Sequence, residues 1–306
     1  MRLDLKMEPS AIIPKNKLAV FNLKDYAQLT KFRLAMLVVF SAAMSFLLAS
    51  GETIDWIKFT WLIVAGFLIT GSSNAFNQII EKDLDKLMNR TANRPLPGNR
   101  MHIIEALAVA IIIGIAGVAL LYIKINLVSS ILGLLALISY VLMYTPMKRL
   151  TPFSVFVGAF PGAMPALLGW VAVTGAFSTS AFVLFVIQFL WQFPHFWAIA
   201  WVMDEDYKKA GFEMLPTRQR DKGSARQTVV YSLALIPACT LPLMYNIAGW
   251  PSMIVCIITS IWFLNLAFKL YKECSVEAAR KLMFGSFAYL PIVQIALVLD
   301  KMIWMN

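Results

Sequence analysis

Asn77, Glu81 and Asp85 stand four residues apart at the polar end of an apolar run, Gly71-Ser72-Ser73-Asn74-Ala75-Phe76-Asn77-Gln78-Ile79-Ile80-Glu81-Lys82-Asp83-Leu84-Asp85. On a helix they form one stripe, turning about 40° and rising about 6 Å per step. Asn74 joins it one turn earlier. Two carboxylates on one face suit Mg2+, a hard ion commonly held by one or two carboxylates plus waters and substrate phosphates. A hydrated helix end with i,i+4 charges explains the same spacing equally well. The next residues favour the metal. Arg90 and Arg94 follow in Arg90-Thr91-Ala92-Asn93-Arg94-Pro95-Leu96-Pro97, and the planar fork of arginine matches phosphate oxygens. Acids followed by arginines read as a site for Mg2+ and a diphosphate.

A second cluster lies further on. Trp191-Gln192-Phe193-Pro194-His195-Phe196-Trp197 leads into Asp204-Glu205-Asp206. His195 and Asp206 are close to three helical turns apart, about 16 Å on an unbroken helix, although Pro194 can bend it. A lone histidine is usually a hydrogen-bonded core residue. Inside a membrane helix an ionisable side chain is a functional candidate by default. Trp191, Trp197 and Trp201 could form an interfacial belt or wall a flat ligand; the sequence does not separate these. Arg33, Lys148 and Arg149 can ring a diphosphate, or each can be a snorkelling anchor.

The elements that must position these residues are membrane helices. The 306 residues are 59% hydrophobic and 14% charged, against about 25% charged in soluble domains. That excludes a disordered chain, a collagen and an ordinary soluble α/β enzyme. Nine apolar runs reach the roughly 20 residues a span needs: about 32–50, 56–80, 103–123, 127–145, 153–173, 179–202, 228–247, 251–271 and 282–305. They are continuous rather than alternating, which argues against a barrel. The expected fold is all-α, a polytopic bundle of about nine transmembrane helices. Residues 124–126, 174–178 and 248–250 are short connections; 81–102 and 203–227 are long and polar.

All Lys and Arg except Lys58, Lys124 and Lys301 fall on one side of this layout. The positive-inside bias then gives an N-in, C-out topology with both long loops cytoplasmic. The same bias accounts for the net charge of +10 without nucleic acid. Residues 1–30 lack the features of a secretory signal and are expected to be a cytoplasmic segment before a single transmembrane domain, 31–306. Cys239, Cys256 and Cys274 form no CxxC pair and imply no metal or disulfide framework.

Asn77-x3-Glu81-x3-Asp85 resembles the first acidic motif of the UbiA-type intramembrane prenyltransferases, NxxxDxxxD, with Glu in one acidic position. Other blocks resemble the haem-farnesylating branch of that family: the stretch to Arg94-Pro95-Leu96-Pro97, Tyr144-Thr145-Pro146-x-Lys148-Arg149, Gly158-Ala159-x-Pro161-Gly162-Ala163-x-Pro165, Trp191 to Trp197, and Asp206-Tyr207-x2-Ala210-Gly211-x2-Met214-Leu215-Pro216. The likeness spans roughly residues 28–300. Lys31-Phe32-Arg33 stands where the family often has Lys-Pro-Arg.

The resemblance implies transfer of a farnesyl group from farnesyl diphosphate to a vinyl group of haem B, with water addition, giving haem O at a bacterial plasma (inner) membrane. It implies Mg2+ on Asn77, Glu81, Asp85 and Asp206, and diphosphate on Arg33, Arg90, Arg94, Lys148 and Arg149. Asp85, Arg94 and Lys148 would be catalytic. His195 and Trp197 would bind haem, the histidine through iron or a propionate. A haem A synthase or terminal oxidase assembly factors are the partners it suggests. Two rivals stay open: a prenyltransferase acting on an aromatic quinone precursor, and a transporter, which would carry ionisable residues at mid-membrane depth in several helices.

Overall fold

The computed structural model describes residues 22–304; the remainder of the expected N-terminal segment, residues 1–21, lies outside them. No strand occurs among the described residues. A short helix, α1 (Leu23–Leu29), precedes nine helices long and apolar enough to cross a membrane: α2 (Phe32–Ala49), α3 (Trp56–Ile80), α4 (Ile103–Lys124), α5 (Leu127–Met147), α6 (Ser154–Thr174), α7 (Thr179–Val202), then, after the short α8 (Asp204–Lys209), α9 (Lys222–Met244), α10 (Trp250–Glu273) and α11 (Val276–Trp304). In lipid a helix satisfies its own backbone polar groups, so apolar runs of this length fold in no other open form.

Two spans start earlier than their apolar runs. α9 begins at Lys222, where Asp221 accepts from Ser224 N at 2.8 Å and caps the first turn. α11 begins at Val276. In both, the first turns carry charge, so hydropathy marks the membrane boundary and not the helix end.

Successive spans pack on one another. α2 returns to α6 and closes a first lobe; α7 packs on α11 and closes a second; α6·α7 and α2·α11 contacts join the two. Large side chains such as Ile112, Ile115, Leu142, Ile258 and Phe284 are exposed on the outside, where lipid replaces water. Between helices, small residues let backbones approach. At Gly169 a Cβ would run into the Ala42 carbonyl oxygen of α2, and beside it the Ser45 hydroxyl donates to Ala166 O.

The end of α11 fastens two neighbours. Buried Asp300 accepts from Gly249 N (2.6 Å), Ser252 N (3.2 Å) and Ser252 Oγ (2.5 Å), supplying acceptors to the unpaired N–H groups that open α10. Lys301 Nζ donates to Leu48 O at 2.6 Å, placing a cation at the carbonyl end of α2.

Candidate active site

The polar end of α3 keeps its stripe through a break. Glu81 departs from helical geometry (φ −95°, ψ 7°), yet Glu81 N donates to Asn77 O (2.9 Å) and Asp85 N to Glu81 O (2.7 Å). The i→i−4 register therefore persists into the single turn Lys82–Asp85. Asn77, Glu81 and Asp85 are 1%, 4% and 0% exposed. Carboxylates buried this far stay charged only when paired. The Lys148 ammonium meets Glu81 Oε1, Arg94 Nη1 meets Asp85 Oδ2 at 2.7 Å, and Lys31 Nζ donates to Asn77 Oδ1 at 3.1 Å. Asp85 Oδ1 is buried with no hydrogen-bond partner among the described residues.

Each cation has its own scaffold. Lys31 follows α1, whose last carbonyls are gripped by α3: Gln78 Nε2 donates to Gln28 O (2.8 Å) and Leu29 O (2.7 Å), and Asn74 Nδ2 to Thr30 O (3.1 Å). Lys31 then adopts a left-handed backbone (φ 49°, ψ 54°), a conformation a non-glycine residue holds only when its surroundings impose it. Burial, then the nearby Arg94 and Lys148 cations, push its ammonium down to about 7, against the pull of Glu81 and Asp85.

Lys148 follows a π-helical stretch of α5, Ser139–Tyr144, a form found mostly as single turns at functional sites. The Tyr140 and Tyr144 rings lie 5.3 Å apart, and Lys148 Nζ sits 5.2 Å from the Tyr144 ring and 5.0 Å from that of Phe212. Thr145 Oγ1 donates to Tyr140 O (2.9 Å) and accepts from Asn77 Nδ2 (3.3 Å), tying α5 to the stripe. Arg94 lies in the first loop, held where Thr91 Oγ1 donates to Asp85 O at 2.8 Å.

The second loop folds over the first. Asp206 accepts from Asn89 N (3.4 Å), Arg90 N (3.3 Å) and Lys209 Nζ (2.9 Å). The lysine, joined by those two N–H groups and opposed by partial burial, holds its carboxyl below the ordinary carboxylate range. Asp204 pairs instead with Lys208 and Arg220, and Glu205 with Arg220, so among the described residues Asp206 is the one of these three acids that bonds to the first loop. Glu213 N donates to Lys148 O at 2.9 Å. The Arg90 guanidinium carbon lies 6.0 Å from the Tyr207 ring.

Arg33 and Arg149 are exposed. Trp197 packs on Phe193 and Tyr231, with ring centroids 5.5 and 5.2 Å away, whereas His195 stacks on Trp191 at 4.4 Å and bonds to Ser286 of α11; the two occupy different faces of α7. Lys31, Thr145 and Ser286 were not singled out by the sequence. Lys31 was visible as the last charge before Arg33. Nothing in the spacing showed that a left-handed turn would carry it to Asn77.

The residues fit a divalent ion: two acids one turn apart, an amide oxygen beside them, and an unsatisfied buried carboxylate oxygen. Among the described residues no three His, Cys, Asp or Glu approach closely enough to hold a metal. A diphosphate and waters would have to supply the remaining oxygens.

Residues 38–290 match the model of the UbiA prenyltransferase family. The chain is 49% identical over 277 residues to a protoheme IX farnesyltransferase of Cytophaga hutchinsonii, covering 90% of this chain and 97% of that one. It is 46% identical over 286 residues to one of Christiangramia forsetii, covering 92% and 94%. Its fold is similar to that of a solved digeranylgeranylglyceryl phosphate synthase (TM-score 0.76, 23% identity, 91% and 98% covered). It is also similar to a UbiA homolog from Archaeoglobus fulgidus bound to GPP and Mg2+ (TM-score 0.63, 14% identity, 89% and 99% covered). By sequence match and by fold, this chain belongs to the UbiA prenyltransferase family.

Proposed function

We propose that the protein moves a farnesyl group from farnesyl diphosphate to a vinyl group of haem B, with water completing the product haem O. The observation that carries this reading is the stripe Asn77–Glu81–Asp85 with Lys31, Arg94 and Lys148 directly upon it. Prenyl diphosphate chemistry needs acids for a metal and cations for a leaving group in one place. The relatives' activity supplies the acceptor.

Asn77, Glu81 and Asp85 would hold Mg2+, with Asp206 joining from the second loop; bound there, the ion neutralises diphosphate oxygens and stabilises the departing charge. Lys31, Arg94 and Lys148 face the same oxygens, and Arg90 adds a cation at the rim. As the allylic C–O bond breaks, its electron pair leaves with the diphosphate, and these groups meet the charge where it develops. The farnesyl carbon bonds to the terminal vinyl carbon, water adds to the other, and a proton departs. The apolar bundle keeps water from the first cation. Both long loops lie on the cytoplasmic side of a bacterial inner membrane, where the basic residues gather. A haem A synthase or terminal oxidase assembly factors would receive the product.

The test is purified protein in detergent with haem B, farnesyl diphosphate and Mg2+, read by mass. Wild type yields a farnesylated, hydrated haem. Asp85→Asn, still folded, loses product formation by at least about a hundredfold. Unchanged turnover in that variant would remove the metal assignment, and haem B left intact by wild type would remove the reaction.

A further inference from the structure

Arg100 bonds to none of Asn77, Glu81 and Asp85 among the described residues, yet it grips both parts of the chain that carry cations to them. Its Nε donates to Asp25 Oδ1 at 2.9 Å, and its Nη2 donates to Gln28 Oε1 at 2.9 Å and to Asn93 O at 3.0 Å. Of the five N–H donors of a guanidinium, two are thereby spent on α1 and one on the first loop. Asn93 O belongs to the peptide group whose nitrogen is that of Arg94. That group is planar, so holding its oxygen orients the backbone from which the Arg94 side chain sets out.

α1 depends on such a grip. It has seven residues, and isolated helices shorter than about 12–15 residues are marginal in water. Asp25 is 6% exposed, and a carboxylate buried this far is costly unless paired; Arg100 is the cation that meets it. At the end of α1, Gln78 Nε2 holds the last carbonyls and Lys31 leaves in its left-handed turn. Lys31 thus reaches Asn77 from a helix held both by α3 and by Arg100. Tyr26 OH donates to Glu105 of α4 at 2.5 Å, so α1 keeps other anchors when Arg100 is removed. What it loses is its link to the Arg94 loop.

The loop is shaped to bring the guanidinium back across itself. Asn99 takes a left-handed φ of 54°, which asparagine tolerates better than most residues, and Arg100 N donates to Pro95 O at 2.9 Å. Gly98 leaves the passage open: a Cβ there would stand 2.9 Å from both Arg100 Nη1 and Arg94 O.

We propose that Arg100, paired with Asp25, is a positioning residue for the donor diphosphate: it clamps α1 to the first loop, so that Lys31 and Arg94 come to the same oxygens at a set separation. The proposal rests on the reading of the α3 stripe as a diphosphate site. Without the clamp each cation keeps its own scaffold, but nothing ties the one scaffold to the other.

The test is calorimetric binding of inorganic pyrophosphate with Mg2+ to the detergent-purified protein, beside steady-state kinetics with farnesyl diphosphate and haem B. Arg100→Ala should weaken pyrophosphate binding and raise KM for farnesyl diphosphate, each by about tenfold, with KM for haem B unchanged. Loss of folded protein alone would lower kcat and leave both KM values as they were. Asp25→Ala separates positioning from direct contact. Losing the clamp partner should weaken pyrophosphate binding, whereas a freed Arg100 that touched the diphosphate itself would tighten it. Arg100→Lys keeps the charge without the planar fork, and Gly98→Ala keeps both charges while crowding the guanidinium; both should bind pyrophosphate more weakly than wild type. Wild-type affinity in Arg100→Ala, or in both Arg100→Lys and Gly98→Ala, overturns the clamp, as does tighter binding in Asp25→Ala. If the variants lose pyrophosphate as expected while wild type leaves haem B unconverted, the clamp stands and the haem reading fails. If wild type converts haem B with a KM for farnesyl diphosphate indifferent to Arg100, the clamp fails and the proposed function stands. If wild type neither binds pyrophosphate nor converts haem B, both fail.

Discussion

At the polar end of α3 the stripe is met residue by residue: an ammonium on the Glu81 carboxylate, a guanidinium on that of Asp85, and a second ammonium donating to the uncharged amide of Asn77. Free Mg2+ must therefore displace a protein cation, and free diphosphate must draw one from its carboxylate. Arriving together, each ligand removes the other's obstacle, which is positive coupling between their sites. Pyrophosphate should raise the affinity for Mn2+, read by paramagnetic resonance as a Mg2+ stand-in, by at least about tenfold. In Lys148→Met the metal alone should bind more tightly and the enhancement should shrink. Equal metal affinity with and without pyrophosphate in wild type would refute this. Lys31 adds a pH dependence. Its ammonium is pushed down to about 7, so it is charged below that pH and loses charge as pH rises through it. KM for farnesyl diphosphate should climb between about pH 6 and pH 8 in wild type and climb less in Lys31→Arg, since arginine stays charged; parallel profiles would speak against Lys31 as a phosphate contact. At this scale the sequence was partly legible. The i,i+4 spacing identified Asn77, Glu81 and Asp85 as one stripe because a helical register is local. Which of Lys31 and Arg33 meets that stripe depends on one backbone turn that spacing cannot report.

Among the elements, α5 positions the chemistry by departing from the α form. Its π-helical stretch sets Tyr140 and Tyr144 side by side, and the Tyr144 ring lies under Lys148. That ring is seated against Gly158 of α6, where an added Cβ would fall 2.6 Å from a ring carbon. Gly158→Val should shift Tyr144 and with it Lys148, lowering kcat/KM for farnesyl diphosphate by at least about tenfold and stability by about 1–3 kcal/mol. Kinetics like wild type would show that the Tyr144 seat is not needed. The sequence marked a Tyr-Thr-Pro block here, but no periodicity distinguishes a π turn from an α turn in an apolar run. Helix existence was plain from hydrophobic length. The starts of α9 and α11 were not, since charged first turns project past the bilayer.

For the whole molecule, the nine apolar runs made the bundle legible, because a span must be long and apolar to exist at all. The closure of the bundle was not legible, since it depends on pairs far apart in sequence. Asp300 is one such link, and Asp300→Ala would leave the opening N–H groups of α10 without their acceptor, lowering stability by about 2 kcal/mol. Thermal unfolding in detergent should show a reduced Tm with the haem and diphosphate affinities kept; an unchanged Tm would mean that the cap carries no load. The two lobes also differ in content. Lys31, Asn77, Glu81, Asp85, Arg94 and Lys148 all belong to the segment ending at α6, whereas Trp191, His195 and Ser286 belong to α7 and α11. Under the proposed reading donor handling thus lies mainly in the first half of the gene, with Asp206 of the second loop reaching back to it. A lineage could recruit a new nucleophile by rewriting the second half around Asp206, with the machinery that ionises the isoprenoid inherited intact.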